Sequence, residues 1–496
     1  MLFLTADIIK EAEKKALENV SSMHLIENAA QAIFNEIRDF SSVRVYCGKG
    51  NNGSDGYATA ILLKKSGIHV EIVQVYEPNT EECALLCRKA EMEEIPVLCD
   101  ISFPMEDFDC VLDAVFGIGI KGEITEERAQ RAIEMINSSG SFVVSCDIPS
   151  GMDTDTGKPC GVCVRADKTI TFTAPKRGML SRESVNICGE IVIAQVGIPV
   201  DYNEIPQSTC VPITKALVKN MLPHRPRNSH KGTFGTAVIV AGSREMSGAA
   251  AMAAMAAQRS GCGLVKIIAP SQICSVLNIL VKEAIIIGVP EENGVMRPEL
   301  TAEAMAAIRT ASSVLIGPGL GRGNHSRLIG NILNETNAPV IIDADGINAL
   351  QGNLGVIQNK NVLITPHLKE FSRISGQSVE EIAKRHVQSA DKFALENGVT
   401  VLLKGARTAI AYGGSNKYVS LGATSALSKA GSGDVLGGII VSLAAQGLPL
   451  TDSAAAGCLI HTGAGFIAEK ELGAYGVTAD DLIKAIPYSI KEIKRY

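Results

Sequence analysis

The sequence predicts two α/β domains in tandem, each built on a parallel sheet with helices on both faces. Three observations carry this. Short apolar runs alternate with amphipathic stretches along most of the 496 residues, the pattern of repeated strand–helix–strand units. The runs are mostly apolar, as strands buried on both faces are. The chain is also too long for one ordinary core, and the pattern breaks near its middle and then restarts.

In the first half, Val43 to Cys47 reads as a buried strand, followed by a Gly/Asn loop and a helix from about Gly56 to Lys65. His69 to Val75 is a second strand, Glu81 to Glu93 a helix, and Cys110 to Val115 a third strand. Glu126 to Asn137 is helical and Ser141 to Asp147 is again a strand. Between Gln207 and Gly232 the pattern stops at Pro212, Pro223 and Pro226. The junction is expected near residue 210, with a short helix from Ile213 to Met221 opening the second domain. Strands are then read at Thr236 to Ala241, Leu264 to Ala269, Ser313 to Ile316, Val340 to Asp343, Val362 to Thr365 and Val399 to Lys404. Ala249 to Arg259 is an Ala/Met helix, thin enough to pack tightly on a sheet.

Composition narrows the class. Hydrophobic residues make up 46% and charged residues 20%, a globular balance. A net charge of −6 speaks against a nucleic-acid surface, so no such partner is expected. Thirteen cysteines, odd in number and scattered, lack the repeated spacings of a zinc site or a disulfide framework. They read as buried thiols in a reducing cytoplasm. The segment from Met1 to Lys15 carries Asp7, Lys10, Glu11 and Glu13 and has no signal-peptide core. No apolar run reaches membrane-spanning length, so a soluble cytoplasmic protein without a membrane partner is expected.

The chemistry gathers at strand ends, the edge where ligands bind an α/β sheet. In the second half, Gly431-Ser432-Gly433-Asp434 runs into an apolar helix. Glycines there leave the main chain open to a ligand, and the helix start offers N–H groups and a positive dipole end to an anion. Asp434 repels phosphate, so it reads as a proton-handling group, with a helix cap as the plainer alternative. Gly242-Ser243, Gly317-Pro318-Gly319-Leu320-Gly321, Asp343-Ala344-Asp345, Thr365-Pro366-His367 and Lys404-Gly405-Ala406-Arg407-Thr408 mark the same edge. His367 reads about equally as a ligand contact or a core hydrogen-bonding residue.

In the first half, Gly48-Lys49-Gly50-Asn51-Asn52-Gly53-Ser54-Asp55-Gly56 follows the first strand. Asp113 to Gly119 and Asp147 to Gly151 follow two others. Asn52, Asp113 and Ser150 supply oxygens with one negative charge among them, which suits a large monovalent cation better than Mg²⁺. Asp147 is left to move protons.

These first-half motifs, with Thr5 to Ala30 and its Glu27-Asn28 pair, resemble the NAD(P)H-hydrate epimerase domain. The resemblance implies a Rossmann-like three-layer αβα sandwich over residues 1–209. It implies that Asn51, Asn52, Gly53, Ser54, Asp55, Gly117, Ile118, Gly119, Ile120, Lys121, Gly122, Glu123 and Asp147 bind the hydrated dinucleotide, with Asp147 at the ring. It assigns potassium to Asn52, Asp113 and Ser150. Ser54 and Ala30 stand where glycine is usual in that family, and a Cβ at 54 strains the backbone if a positive φ is needed there.

The second-half motifs resemble the ribokinase-like superfamily, and more closely its ADP-dependent NAD(P)H-hydrate dehydratase branch. The resemblance implies a ribokinase-like αβα sandwich over residues 210–496. Lys404, Gly405, Ala406, Arg407, Thr408 and Gly433 would bind ADP with Mg²⁺. Ala249, Gly319, His367 and Asp434 would contact the hydrated dinucleotide. Asp434 would deprotonate the ring hydroxyl for attack on a nucleotide phosphoryl, with the Gly431 to Gly433 N–H groups offsetting charge.

Together the two halves imply a bifunctional repair of NADHX and NADPHX. The first interconverts R and S epimers by proton transfers alone, in a site read as lacking a reactive Cys or Lys. The second dehydrates the S epimer with ADP, giving AMP and phosphate. A homo-oligomer is expected, since chains of this kind often assemble. Three alternatives stand: a small-alcohol or vitamin-precursor kinase in the second half, a non-catalytic binding module in the first, and a dehydrogenase. The last is disfavoured because neither half carries the standard dinucleotide fingerprint.

Overall fold

A computed structural model describes residues 2–100, 107–202, 205, 210–413 and 417–495. The chain divides into two compact units, Met1–Pro212 and Ile213–Tyr496. Gln207, where the expected junction begins, and residue 209 lie outside the described residues.

The first unit holds β1 (Ser42–Cys47), β2 (His69–Gln74), β3 (Val97–Leu98), β4 (Cys110–Ala114), β5 (Phe142–Cys146), β6 (Lys168–Phe172) and β7 (Glu190–Ala194). They form one sheet in the order β3-β2-β1-β4-β5-β6-β7, with every pair parallel. Val43 and Val45 of β1 enter one apolar cluster with Ile33, Tyr57 and Leu63. Tyr46 enters the other, with Ile133 and Val143. Both faces are therefore covered, which is why these strands read as mostly apolar runs. The order reverses between β1 and β4, so a crevice opens beyond their carboxyl ends.

The helix after β1 runs from Asn51 to Lys65, so the expected loop to Gly56 is in fact mostly helix. Glycine and asparagine favour turns locally, but tertiary contact overrides that preference. A Cβ on Gly53 would lie 2.0 Å from Gly48 O, and one on Gly56 would lie 2.7 Å from Ala114 Cβ. The glycines let the first helical turns lie against β1 and β4. The expected strain at position 54 is absent: Ser54 is helical, is not among the residues with positive φ, and its Oγ donates to Gly50 O at 3.3 Å. Ala30 is a buried core residue of the helix Ser22–Ile37.

The second unit holds β8 (Thr236–Val240), β9 (Leu264–Pro270), β10 (Ile285–Val289), β11 (Ser313–Ile316), β12 (Val340–Ile342), β13 (Val362–Ile364), β14 (Thr400–Leu403), β15 (Ala409–Tyr412) and β16 (Lys417–Ser420). Within the unit the order is β10-β9-β8-β11-β12-β13-β14-β15-β16. The strands run parallel as far as β14 and antiparallel beyond it. The order again reverses, between β8 and β11. Ala237 and Ile239 face one cluster, Val238 and Val240 the other.

The Ala/Met helix, Ser247–Arg259, packs on the helix Ser432–Ala445 as well as on the sheet. A Cβ on Gly438 would fall 2.2 Å from Ala253 O, so this close crossing needs glycine. Among the described residues no helix is long and apolar enough to cross a membrane. The thirteen cysteines are free thiols. Cys160-Gly161-Val162-Cys163 is a lone C-x-x-C spacing, and burial raises both thiols above the ordinary cysteine range, which makes them poor nucleophiles.

Candidate active sites

The first unit carries a cavity of about 490 Å³ at the carboxyl ends of its strands. Of the residues expected to bind there, Asn51, Asn52, Asp55, Gly117, Ile118, Gly119, Ile120 and Asp147 line it. Gly53 and Ser54 lie in the same helical turn but do not line the cavity, and Lys121, Gly122 and Glu123 are exposed beyond it. Because Asn51 starts the helix, Asn52 and Asp55 stand three residues apart on one face.

Asp113 is the charged member of the set expected to hold a cation. It is fully buried. Its Oδ1 accepts from Ser150 Oγ at 2.5 Å, and its Oδ2 accepts from Ser145 Oγ and Ser150 N, both at 2.8 Å. Strand register explains the first neighbour, since Asp113 pairs with Ser145 across β4 and β5. Burial raises the Asp113 carboxyl above the usual range, and the Ser150 and Ser145 hydrogen bonds pull it back. No basic side chain pairs with it among the described residues. Asn52 Nδ2 is buried without a partner among the described residues.

Asp147 ends β5 in a strained turn. Its φ is 63°, and Ile148 N donates to Cys146 O at 2.8 Å across it, a γ-turn of the rare positive-φ kind. Thr173 repeats the device at the end of neighbouring β6: φ is 68° and Ala174 N donates to Phe172 O at 2.7 Å. For a β-branched residue this is a clear outlier. Its hydroxyl is buried, has no partner among the described residues, and borders the cavity.

The cavity expected to lack a reactive lysine does contain a lysine. Lys176 lies in this cavity, wholly buried, with Nζ on Asp147 Oδ1 and 3.1 Å from Phe172 O. Nothing in the strand-end motifs pointed to it. Glu13, from the helix Ala6–Leu17, also lines the wall. Burial, then the charge of Asp147, raises the carboxyls of both Asp55 and Glu13 above the usual range.

In the second unit, the helix Ser432–Ala445 starts at Gly431, whose φ is 86°. Three carboxylates and one lysine gather at this start. Lys404 Nζ lies 2.6 Å from Asp343 Oδ1, which also accepts from Thr365 Oγ1 at 2.8 Å. A Cβ on Gly433 would meet Lys404 Nζ at 3.4 Å and Asp343 Oδ2 at 3.8 Å. Asp345 Oδ2 accepts from Gly321 N at 3.0 Å. Burial, with the charge of Asp343, pushes Asp434 up to about 7, against the pull of Lys404.

Ala249 and Gly319 come together, since a Cβ on Gly319 would fall 2.9 Å from Ala249 Cβ. His367 caps the helix Leu368–Ser375: its Nδ1 accepts from Lys369 N at 3.0 Å and Glu370 N at 3.3 Å. That places the ring proton on Nε2, 3.4 Å from Glu370 Oε1. In the Lys404 to Thr408 turn, Gly405 and Ala406 are exposed, whereas Arg407 is buried and donates to Leu421 O at 2.5 Å. Sequence reasoning did not reach His461, which is buried beneath the turn, 3.1 Å from Ser432 Oγ, and held down at about 4 by burial.

Comparison with known proteins matches both units. Residues 237–488 fit the family described as NAD(P)H-hydrate dehydratase, and residues 22–178 fit that of the YjeF-related protein N-terminus. The bifunctional NAD(P)H-hydrate repair enzyme Nnr of Dictyoglomus turgidum is 32% identical over 100% of this chain and 99% of its own. That of Escherichia coli K12 is 32% identical over 97% and 92%. Among solved structures, a ribokinase-like superfamily protein from Enterococcus faecalis is similar at 25% identity. It covers 60% of this chain and 100% of its own, with a TM-score of 0.51.

Proposed function

This chain belongs to the family of bifunctional NAD(P)H-hydrate repair enzymes, and we propose how its two sites divide that work. The observation that carries the reading is Asp434, a carboxyl poised at about 7 beside the glycine-lined start of a helix.

In the second unit, the hydrated ring of S-NADHX or S-NADPHX rests between Ala249, Gly319 and His367. Asp434 takes the proton of the ring hydroxyl, and the freed oxygen attacks the terminal phosphoryl of ADP. AMP leaves, the phosphorylated carbon then loses phosphate with the ring nitrogen pushing, and loss of a ring proton restores NAD(P)H. Lys404 and the N–H groups at Gly433 face the phosphoryl oxygens, where charge develops. The exposed Gly405 and Ala406 leave main chain open to the nucleotide, while Arg407 and Thr408 brace the turn. Among the described residues no three His, Cys, Asp or Glu side chains form a metal-holding group, so Mg²⁺ would arrive with ADP, held chiefly by its phosphate oxygens. When bound, it offsets phosphate charge.

In the first unit, the R and S hydrates interconvert by opening and reclosing the ring, with Asp147 handling the hydroxyl proton. Potassium fits the cluster below. The buried Asp113 carboxylate, Ser150 Oγ, Phe116 O and the Asn52 amide oxygen supply oxygens and a single charge. The cation would fix the turn after β4 that lines the cavity.

Incubation of the purified chain with S-NADHX, ADP and Mg²⁺ tests the dehydratase reading. NADH, AMP and phosphate formed in equal amounts are expected. No turnover, with phosphorylation of a small alcohol by ATP instead, would favour the kinase alternative.

A further inference from the structure

Epimerisation at a hydrated ring carbon needs two proton carriers, one at the departing oxygen and one at the ring nitrogen. Asp147 supplies the first. The geometry points to Lys176 as the second catalytic group, giving the ring nitrogen its proton as the ring opens and taking it back on closure. This rests on the reading of the first unit as an epimerase.

The step balances. Asp147 takes the hydroxyl proton, the C–O bond becomes a carbonyl, the carbon–nitrogen bond breaks, and Lys176 protonates the nitrogen. The open chain is a neutral amino-aldehyde, and the pair passes from carboxylate and ammonium to carboxylic acid and amine. Rotation turns the other carbonyl face to the nitrogen. Closure returns one proton to Lys176 and one to the oxygen, so both groups end as they began, with no oxidant or reductant.

Three features place Lys176 for this. Its Nζ touches the carboxylate that serves the oxygen and has Phe172 O as its other partner, so one of its three donors is left for the cavity it lines. Its backbone is clamped: Leu4 pairs with Lys176 as an isolated bridge, Leu4 N donates to Pro175 O at 2.9 Å and Arg177 N to Leu4 O at 2.7 Å. The positive-φ turns at Asp147 and Thr173 hold the strand ends on either side. A wholly buried lysine is retained rarely unless paired, and here the pairing faces a ligand cavity. The neighbouring carboxyls, Asp55 and Glu13, are raised by burial, and it is Asp147 that the Lys176 ammonium touches.

The test is the rate of R-to-S conversion in the full chain, with S-NADHX read out by the chain's own ADP-dependent step. Lys176→Arg keeps the charge and the pairing but cannot release a proton at working pH. A fall in kcat of about 100-fold or more, with KM and thermal melting near wild type, is expected. Lys176→Ala is expected to fall as far and to regain rate when methylamine is added. Wild-type kcat in Lys176→Arg would overturn the proposal and leave the lysine a fixed charge. A fall in Lys176→Ala that methylamine does not restore would also count against it. If wild type itself does not convert the R epimer, the epimerase reading fails, and the proposal with it.

Discussion

Lys404 Nζ stands 2.6 Å from Asp343 Oδ1, a half-buried lysine on a buried carboxylate, and the pair lies against Gly433, next to Asp434. The pair sets the proton affinity of Asp434 from both sides, Asp343 raising it and Lys404 lowering it beneath a larger effect of burial. Its neighbours therefore tune the group assigned to the ring hydroxyl beneath the larger effect of burial.

The dehydratase step needs Asp434 ionised. kcat/KM is expected to rise with pH through about 7 and to level off above it. Asp343→Asn removes the repelling charge and frees Lys404, so the rising limb should move to lower pH. A profile flat from pH 5 to 9 (about four units, wide enough to bracket the limb) would remove Asp434 as the base.

The same shift has a sign for stability. Between about pH 4 and 7 the folded chain holds a proton on Asp434 that the unfolded chain has lost, so stability falls as pH rises through that window. Asp434→Asn should relieve this. Its second unit should be more stable than wild type at pH 8 by an amount on the order of 1–3 kcal/mol and so melt at a higher temperature, while dehydratase activity is lost. A lower melting temperature at pH 8 would contradict the assigned burial.

Ser54 occupies an ordinary helical position, so restoring the glycine usual in the family brings no relief of strain. Ser54→Gly is expected to lower stability by about 0.5–1 kcal/mol, measured by denaturant melting of the first unit. Stabilisation would mean that the backbone at 54 is strained after all.

Potassium should raise the melting temperature of the first unit more than lithium at equal ionic strength, by binding the folded state alone. Asp113→Asn or Ser150→Ala should abolish the difference. If potassium and lithium act alike on the wild type, the cluster of Asn52, Asp113 and Ser150 is structural.

Much of this was legible in the sequence because it is local. An apolar run followed by an acid and glycines marks a strand end in both halves, and Asp113, Asp147 and Asp343 were found that way, while Asp434 was found by the glycine turn that opens an apolar helix. What depends on tertiary contact was not legible. The helix starts at Asn51 because Gly53 and Gly56 fit against Gly48 and Ala114, which the turn preference of glycine and asparagine conceals. Lys176 and Glu13 reach the cavity from a turn after β6 and from the first helix, where no spacing announces chemistry. His367 shows the limit from the other side: its place was read correctly, but only the structure shows Nδ1 occupied as a cap.

The most direct measurement is recovery of NADH absorbance from mixed R- and S-NADHX with ADP, comparing wild type, Asp147→Ala and Asp434→Ala. Wild type should restore all the NADH. Asp147→Ala should stop at the S fraction, apart from slow spontaneous epimerisation, and Asp434→Ala should restore almost none. Full recovery by Asp147→Ala at the wild-type rate, or by Asp434→Ala at all, would contradict the division of two activities between these two aspartates.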